Sequence, residues 1–318
     1  MAVDAALDAV LPAFRITALV PTYRRPDDLR RCLRALAAQT LPASEILVVL
    51  RRDDVSSRAV VHELAPRLAA LRPVIVDAPG TVHALNAGLQ SASGDLVAIT
   101  DDDAAPRPDW LARIAAHMES DTRIGGVGGR DWVHHGERVE NGSRMEVGRL
   151  CWYGRCIGNH HLGAGTPRAV DFLKGVNMSY RRAAIDGLRF DARLLGGGAQ
   201  VGNDMAFALA VRRRGWLLIY DPEVAVDHYP ARRFDEDQRN SVSALACYNA
   251  AFNEALIVGE ALGRVRSCAF AVWGVLVGTR AVPGLLQWLR LRPREGAAAS
   301  VRTAASIRGT VAGWRASW

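Results

Sequence analysis

The chain has 318 residues, enough for one large α/β domain with an appendage or for two modest domains. Hydrophobic residues make up 49% and charged residues 23%, with no internal repeat or low-complexity tract, which excludes a disordered or fibrous protein. The formal charge is +7, and it is uneven: residues 264–318 hold nine arginines against one acid, Glu295. Such a basic tail implies an anionic partner (membrane lipid, nucleic acid or a phosphorylated substrate) or else a solvated helix face.

From the N-terminus, Met1 to Phe14 lacks the basic start and long apolar core of a signal peptide. Ile16 to Val20 reads as a buried strand, ended by Pro21-Thr22-Tyr23-Arg24-Arg25-Pro26. The spacing of Leu29, Cys32, Leu33 and Leu36 predicts a helix over about Asp27 to Gln39. Glu45 to Leu50 is a second strand, Val55 to Leu71 a helix interrupted near Pro66, and Val74 to Val76 a short third strand. A helix over Val82 to Ser91 leads through Gly94-Asp95 into a fourth strand, Leu96 to Thr100, which runs into Asp101-Asp102-Asp103. Pro108 to Glu119 is helical; beyond Gly125 the chain reads as Gly-rich and polar to about Thr166. Phe172 to Tyr180 reads as a strand, Gly196-Gly197-Gly198 as a loop, Asn203 to Arg214 as a helix and Trp216 to Tyr220 as a strand. From Asn240 onward helices broken at Pro283 and Pro293 are expected.

Strands alternating with helices predict a mostly parallel sheet covered on both faces. Ligands then bind beyond the carboxyl ends of the strands. Three of the first four strands end in polar clusters, Pro21–Arg25, Arg51–Asp54 and Asp101–Asp103, which should meet at one edge. Five cysteines without paired CxxC spacing, and an apolar run at Cys268–Gly278 too short to cross a bilayer, predict a reducing, cytoplasmic protein with free thiols.

Three consecutive aspartates repel one another unless donors or a cation hold them. A hard divalent ion does this and also binds a diphosphate. Alternation along an extended chain would point Asp101 and Asp103 the same way, to share one ligand, and Asp102 the other; the bland alternative is a solvated acidic turn. Asp204 opens a helix, where an aspartate serves either as a cap or as a base. His228 follows the strand-like Val224 to Val226.

The run Val20-Pro21-Thr22-Tyr23-Arg24-Arg25 resembles the opening of family 2 glycosyltransferases. So do Ala84 to Leu89, Ser93-Gly94-Asp95-Leu96-Val97, the aspartate triplet, and Pro106 to Leu111 with its Asp109-Trp110. Gly175 to Arg182, Gly202-Asn203-Asp204 with Arg212, Arg214, Gly215 and Trp216, and His228-Tyr229-Pro230 continue the likeness, which covers roughly residues 16–233. The resemblance implies a GT-A fold in residues 1–239, with a nucleotide-binding half over about 14–125, an acceptor half over about 126–239, and a C-terminal helical region at 240–318. It implies an inverting transfer of one sugar from a nucleotide-diphosphate donor to a saccharide or lipid-linked acceptor, with Mn2+ or Mg2+ as cofactor and no nucleic-acid partner. Pro21, Thr22 and Tyr23 would line the nucleotide pocket, Arg25 would approach the diphosphate, and Asp53 or Asp54 would contact the base. Asn86, Asp101 and Asp102 would fall on the donor side, Asp103 and His228 on the metal, and Gly175, Asn177 and Asn203 on the acceptor side. Asp204 would be the catalytic base. An imidazole beside carboxylates suits manganese better than magnesium.

Two departures bear on this. The family commonly has Glu-Asp where Asn203-Asp204 stands, so a weak or inactive donor-binding protein is the second reading. Gln287-Trp288-Leu289-Arg290 is not the Gln-x-x-Arg-Trp motif of processive synthases, so single-sugar addition is expected. A sugar nucleotidyltransferase would need a Gly-rich loop, and Pro21–Arg25 has no glycine. The histidine pairs His134-His135 and His160-His161 read as loop residues near the acceptor. In the tail, Phe270, Val272, Trp273, Val275, Leu276 and Val277 either pack on the catalytic domain or lie on an anionic membrane surface.

Overall fold

The computed structural model describes residues 14–234, 237–238 and 243–318. The expected boundary at 239/240 and nearly all of the Met1–Phe14 segment lie outside the described residues. The first half runs β1 (Ile16–Thr22), α1 (Pro26–Ala37), β2 (Glu45–Arg51), α2 (Val55–Leu64), β3 (Leu71–Val76), α3 (Thr81–Ser91), β4 (Leu96–Ile99), β5 (Ala104–Pro106) and α4 (Trp110–Ser120). The second runs β6 (Ile124–His135), β7 (Arg138–Val139), β8 (Arg149–Leu150), β9 (Cys156–Ile157), β10 (Arg168–Ala169), β11 (Met178–Arg181), α5 (Arg182–Ile185), α6 (Asn203–Arg213) and β12 (Leu217–His228). Three helices follow: α7 (Ala244–Leu276), α8 (Leu285–Glu295) and α9 (Ala297–Ala316).

The main sheet has the order β10-β12-β6-β11-β4-β1-β2-β3, with β5 on β12 and β7 on β6. The neighbours β1, β2, β3 and β4 pair parallel, as do β6 and β12. β11 is antiparallel to both β4 and β6 and joins the halves. Successive strand residues point to opposite faces. Leu19, Leu47, Val49, Val97 and Ile99 therefore enter one core with α3 and α6, while Ala18, Val20, Ile46, Val48 and Leu50 enter another with α1, α2 and α4.

The elements expected up to Glu119 are present with ends shifted by no more than three residues, except that the helix expected over Val55 to Leu71 stops at Leu64. The segment after Gly125 differs from expectation. Its glycines are the middle of β6, a 12-residue strand. A Cβ at Gly128 would sit 2.6 Å from the Asn177 carbonyl oxygen, and one at Gly129 only 1.9 Å from that of Val224. The residues look like loop because a crowded backbone, rather than a turn, demands them.

The C-terminal helices pack together and on the preceding α/β half. α7 breaks at Gly263, whose φ of 73° is open to glycine and strained for other residues. Phe270, Val258 and Ala255 form a small core that Trp273, Trp314, Leu150 and Cys156 extend toward the β8–β9 hairpin. Of the tail's apolar run, Phe270 is buried and Trp273, Val275 and Val277 are half-buried, whereas Val272 and Leu276 stay exposed. Asn253, 1% exposed, ties this region to the loop before α6. Its amide nitrogen donates to the carbonyls of Leu195 (2.9 Å) and Val201 (3.0 Å), and its oxygen accepts from the Leu195 N–H (2.7 Å). Among the described residues no helix is long and apolar enough to cross a membrane.

Candidate functional site

The carboxyl ends of β1, β2 and β4 open onto a cavity of about 780 Å³. Sheet topology puts it there: neighbouring parallel strands deliver their polar ends to one edge. Pro21, Thr22, Tyr23, Arg25 and Asp101 to Asp103 line one wall. Lys174, Gly175, Asn203, Asp204, His161 and Glu140 line the other, with Gly197, Gly198, Ala199, Val201 and Gly202 between.

The aspartates do not alternate as expected. β4 ends at Ile99, and a turn, in which the Ala104 N–H donates to the Asp101 carbonyl at 3.2 Å, rotates the triplet. Asp102 and Asp103 both come to Arg25, whose Nη1 lies 2.9 Å from Asp102 and 3.8 Å from Asp103. Asp102 also accepts from the Thr22 hydroxyl at 2.7 Å. Burial pushes the Asp102 carboxyl up to about 7, with Arg25 pulling the other way. Asp101 is half-exposed to the cavity, and desolvation and the charge of Asp103 push it up to about 6. Asp103 is 1% exposed. Burial opposes its ionisation, but His228 and the Ala231 N–H, which donates at 2.9 Å, hold its carboxyl well below the ordinary range.

His228 stands between two carboxylates. Its Nε2 is 3.4 Å from Asp103 Oδ1, and its Nδ1 is 3.3 Å from Asp131 Oδ2. Burial lowers its basicity, but bonds to Asp103 and Asp131 outweigh this and push it up to about 9. Asp131 is fully buried and also binds the ammonium of Lys174, the one lysine of the sequence. Sequence reading missed Asp131. The signal available was Lys174 itself, kept in a chain that otherwise uses arginine.

These residues fit a divalent ion. Two ligands of one ion, each about 2.1 Å away at 90–110°, lie about 3.0–3.5 Å apart, the spacing of His228 Nε2 and Asp103 Oδ1. That Nε2 is buried and faces Asp103 Oδ1 at ion-pair distance without a well-formed hydrogen bond, and Asp131 on the far nitrogen is the kind of carboxylate that orients a ligating imidazole. Among the described residues no three His, Cys, Asp or Glu side chains converge to hold an ion by themselves. The remaining positions suit phosphate oxygens and water.

On the second wall, Asp204 lies in the first turn of α6, after Gly202 at the cap. Its Oδ2 accepts from the Gly175 N–H and its Oδ1 from the Met205 N–H, each at 2.8 Å. The Asn203 amide donates to the carbonyls of Ala199 (3.1 Å) and Gln200 (3.0 Å), so it braces the glycine loop. That loop is held on the α3 side too: the Thr81 N–H donates to Gly198 O at 2.8 Å, and the Val82 N–H to Gln200 Oε1 at 3.0 Å.

Other expected residues fall elsewhere. Asp54 caps α2 and is consumed by the N–H groups of Ser57 and Arg24, leaving Asp53 at the rim beside Tyr23, Arg24 and Arg51. Asn86 is outside the lining, its amide spent on both backbone groups of Phe190. Asn177 is buried between the Trp110 indole and the Val224 carbonyl. Two further carboxylates of this half, Asp171 and Asp191, pair with Arg212 and Arg193 and do not line the cavity. Of the four paired histidines only His161 lines it. Phe234, packed edge-on against Tyr23 at 6.1 Å, adds an aromatic mouth that the sequence did not announce.

A mostly parallel sheet with a strand-end aspartate cluster, a histidine from the sheet's far half and a cavity across both defines the GT-A fold. The chain belongs to glycosyltransferase-like family 2, whose model matches residues 12–243. It is 36% identical over 220 residues to the succinoglycan biosynthesis protein ExoM of Rhizobium meliloti, covering 66% of this chain and 65% of that one. In the curated relatives it matches, the aligned part spans 35% to 65% of their length, always under two thirds. The structure is similar to the mannosyltransferase PcManGT of Pyrobaculum calidifontis in complex with GDP-Man and Mn2+, with a TM-score of 0.54, 20% identity, and 96% of this chain and 87% of that one covered. It is also similar to S. aureus TarS in complex with UDP-GlcNAc, with a TM-score of 0.53, 16% identity, and 95% and 91% covered.

Proposed function

We propose that this protein is an inverting glycosyltransferase that moves one sugar from a nucleotide-diphosphate donor to an acceptor hydroxyl, in the synthesis of a bacterial cell-surface polysaccharide or glycolipid. The observation that carries the reading is a cavity with a carboxylate on each side: Asp103 with His228 on the donor wall and Asp204 on the acceptor wall. The similarity to ExoM supports the polysaccharide setting; a neighbour holding GDP-Man and Mn2+ supports a nucleotide-sugar donor and a divalent ion, Mn2+ or Mg2+.

Tyr23 and Phe234 border the space for the base, with Asp53 at the rim. Thr22 and Arg25 fix Asp102 and so the turn that presents Asp103. Asp103 and His228 would hold the ion, which when bound neutralises the charge growing on the leaving diphosphate. Asp204 removes the proton from the acceptor hydroxyl as its oxygen attacks the anomeric carbon from the side opposite the diphosphate. Its Gly175 contact orients the carboxylate, and the braced loop 196–202 shields the reacting carbon from water. We assign residues 1–239 to catalysis and 240–318 to a helical region. We place the enzyme in the cytoplasm, peripheral to the inner face of the plasma membrane, with a saccharide or lipid-linked acceptor.

The test is the anomeric configuration of product by NMR, alongside Asp204→Asn. Inversion is expected, with transfer slowed by about 10²–10⁴-fold in the variant and its donor affinity and melting temperature unchanged. A retained configuration, or a variant with near-normal transfer, would overturn the assignment.

A further inference from the structure

The most unusual surface outside the cavity is the free side of α8. Leu285, Leu286 and Leu289 are 48%, 42% and 60% exposed. At about 100° per residue, these three and the exposed Pro293 share one sector of the helix. Arg290 and Arg292 flank that sector on its two sides, Arg292 with its Nη1 donating to Ser300 Oγ of α9 at 2.9 Å, and Arg294 follows at the helix end. The opposite side is committed to α9: Leu291 is buried, the Trp288 indole N–H donates to Ser300 Oγ at 3.0 Å, and Glu295 pairs with Arg302 at 2.6 Å. α8 thus turns an apolar stripe outward although its inner face is already packed. Gly278 and Pro283 bridge the turn before it, which brings Gly284 against the last turn of α7, where Val272 and Leu276 are also exposed.

We infer that the α8 stripe lies on an anionic lipid bilayer, with Leu285, Leu286, Leu289 and Pro293 among the acyl chains and Arg290 and Arg294 at the headgroups. This narrows the peripheral location proposed above to one helix face. The pattern is that of an interfacial helix: a stripe of apolar side chains bordered by arginines, on an element too short to span. Charge chooses the occupant. Glu295 is the sole acidic side chain in residues 264–318, and Arg302 already takes it, so nothing in the segment neutralises the flanking arginines. A second copy would bring arginines against arginines. Anionic headgroups match both the charge and the stripe it borders. The apolar run at residues 270–277 is only a partial contributor, because Phe270 is packed inward.

The experiment is co-sedimentation of the full chain with phosphatidylcholine vesicles, with and without phosphatidylglycerol. Binding is expected only where phosphatidylglycerol is present, and it should fall as salt rises. Leu285→Ser/Leu286→Ser/Leu289→Ser should lose binding by at least about tenfold, with donor hydrolysis and melting temperature kept. Single Arg290→Gln or Arg294→Gln changes should each weaken it by about fivefold. If the wild type binds but the leucine variant binds equally well, the stripe is overturned while the peripheral location stands; if the wild type does not bind, both fall. Sedimentation velocity covers the other occupant. A wild-type dimer that the leucine variant converts to monomer would assign the face to a second copy and overturn the proposal.

Discussion

On the proposed donor wall three aspartates follow one another in the chain, and two of them are sealed by Arg25, Thr22 and His228 within a single turn. On the proposed acceptor wall the charged groups come from distant places, Glu140 after β7, Lys174 from the loop before β11 and Asp204 from α6, with Asp131 of β6 buried behind Lys174. The donor wall is a local device, costly in self-repulsion and readable from residue order. The acceptor wall exists only once β6, β11 and β12 lie side by side. His228 links the two, since it reaches Asp103 with one nitrogen and Asp131 with the other.

The comparison breaks most sharply at Asp103. Asp103→Asn keeps the shape and the Ala231 contact but removes the charge, so donor turnover should be abolished with the melting temperature unchanged. Full activity of wild-type enzyme in excess chelator would show that no ion is needed at this wall. A smaller loss is expected across the link. Asp131→Asn should weaken Mn2+ affinity in the presence of nucleoside diphosphate by about 10–100-fold, read by calorimetry, while an unaltered affinity would make Asp131 a partner of Lys174 alone.

Asn253→Ala probes whether the helical region supports the acceptor wall. It removes three hydrogen bonds to the ends of the glycine loop, at a cost of about 1–3 kcal/mol. Donor KM should rise several-fold with kcat less affected; unchanged KM beside a lowered melting temperature would confine Asn253 to stability. The smallest effect concerns His160, buried beneath the acceptor wall. Burial lowers its basicity to about 4, although a bond to the Phe172 carbonyl opposes the shift. The unfolded value is about 6.5, so the folded state resists protonation. The contribution is complete above that value and is lost as pH falls from about 6.5 toward about 4. His160→Gln should flatten the melting temperature over that window, and an unchanged slope would mean that another group governs it.

Legibility follows the same division. β1 to β4 and their helices were readable because each is a contiguous apolar pattern with its own turn, and the aspartate triplet because its charges are adjacent. β6 was not: Gly128 and Gly129 are strand residues for the sake of the Asn177 and Val224 carbonyls they approach, contacts that sequence order does not contain. The same holds for Asn86 and Asn177. Their motif positions placed them near the ligand, yet their amides are used up on Phe190, Trp110 and Val224.

Sequence by itself determined the parallel first half, the edge at which its polar ends gather, and the cation-seeking cluster there, since all three depend on periodicity and on charges close in the chain. It also determined the excess of arginine at the C-terminus. Tertiary structure decided how those charges are spent. It turned Asp102 toward Arg25, supplied Asp131 to His228, put Asp204 under the Gly175 N–H, and packed Phe270 inward while leaving the α8 leucines outside. A side chain's partners depend on which backbones become neighbours, and that is settled by packing of the whole chain rather than by any stretch of it.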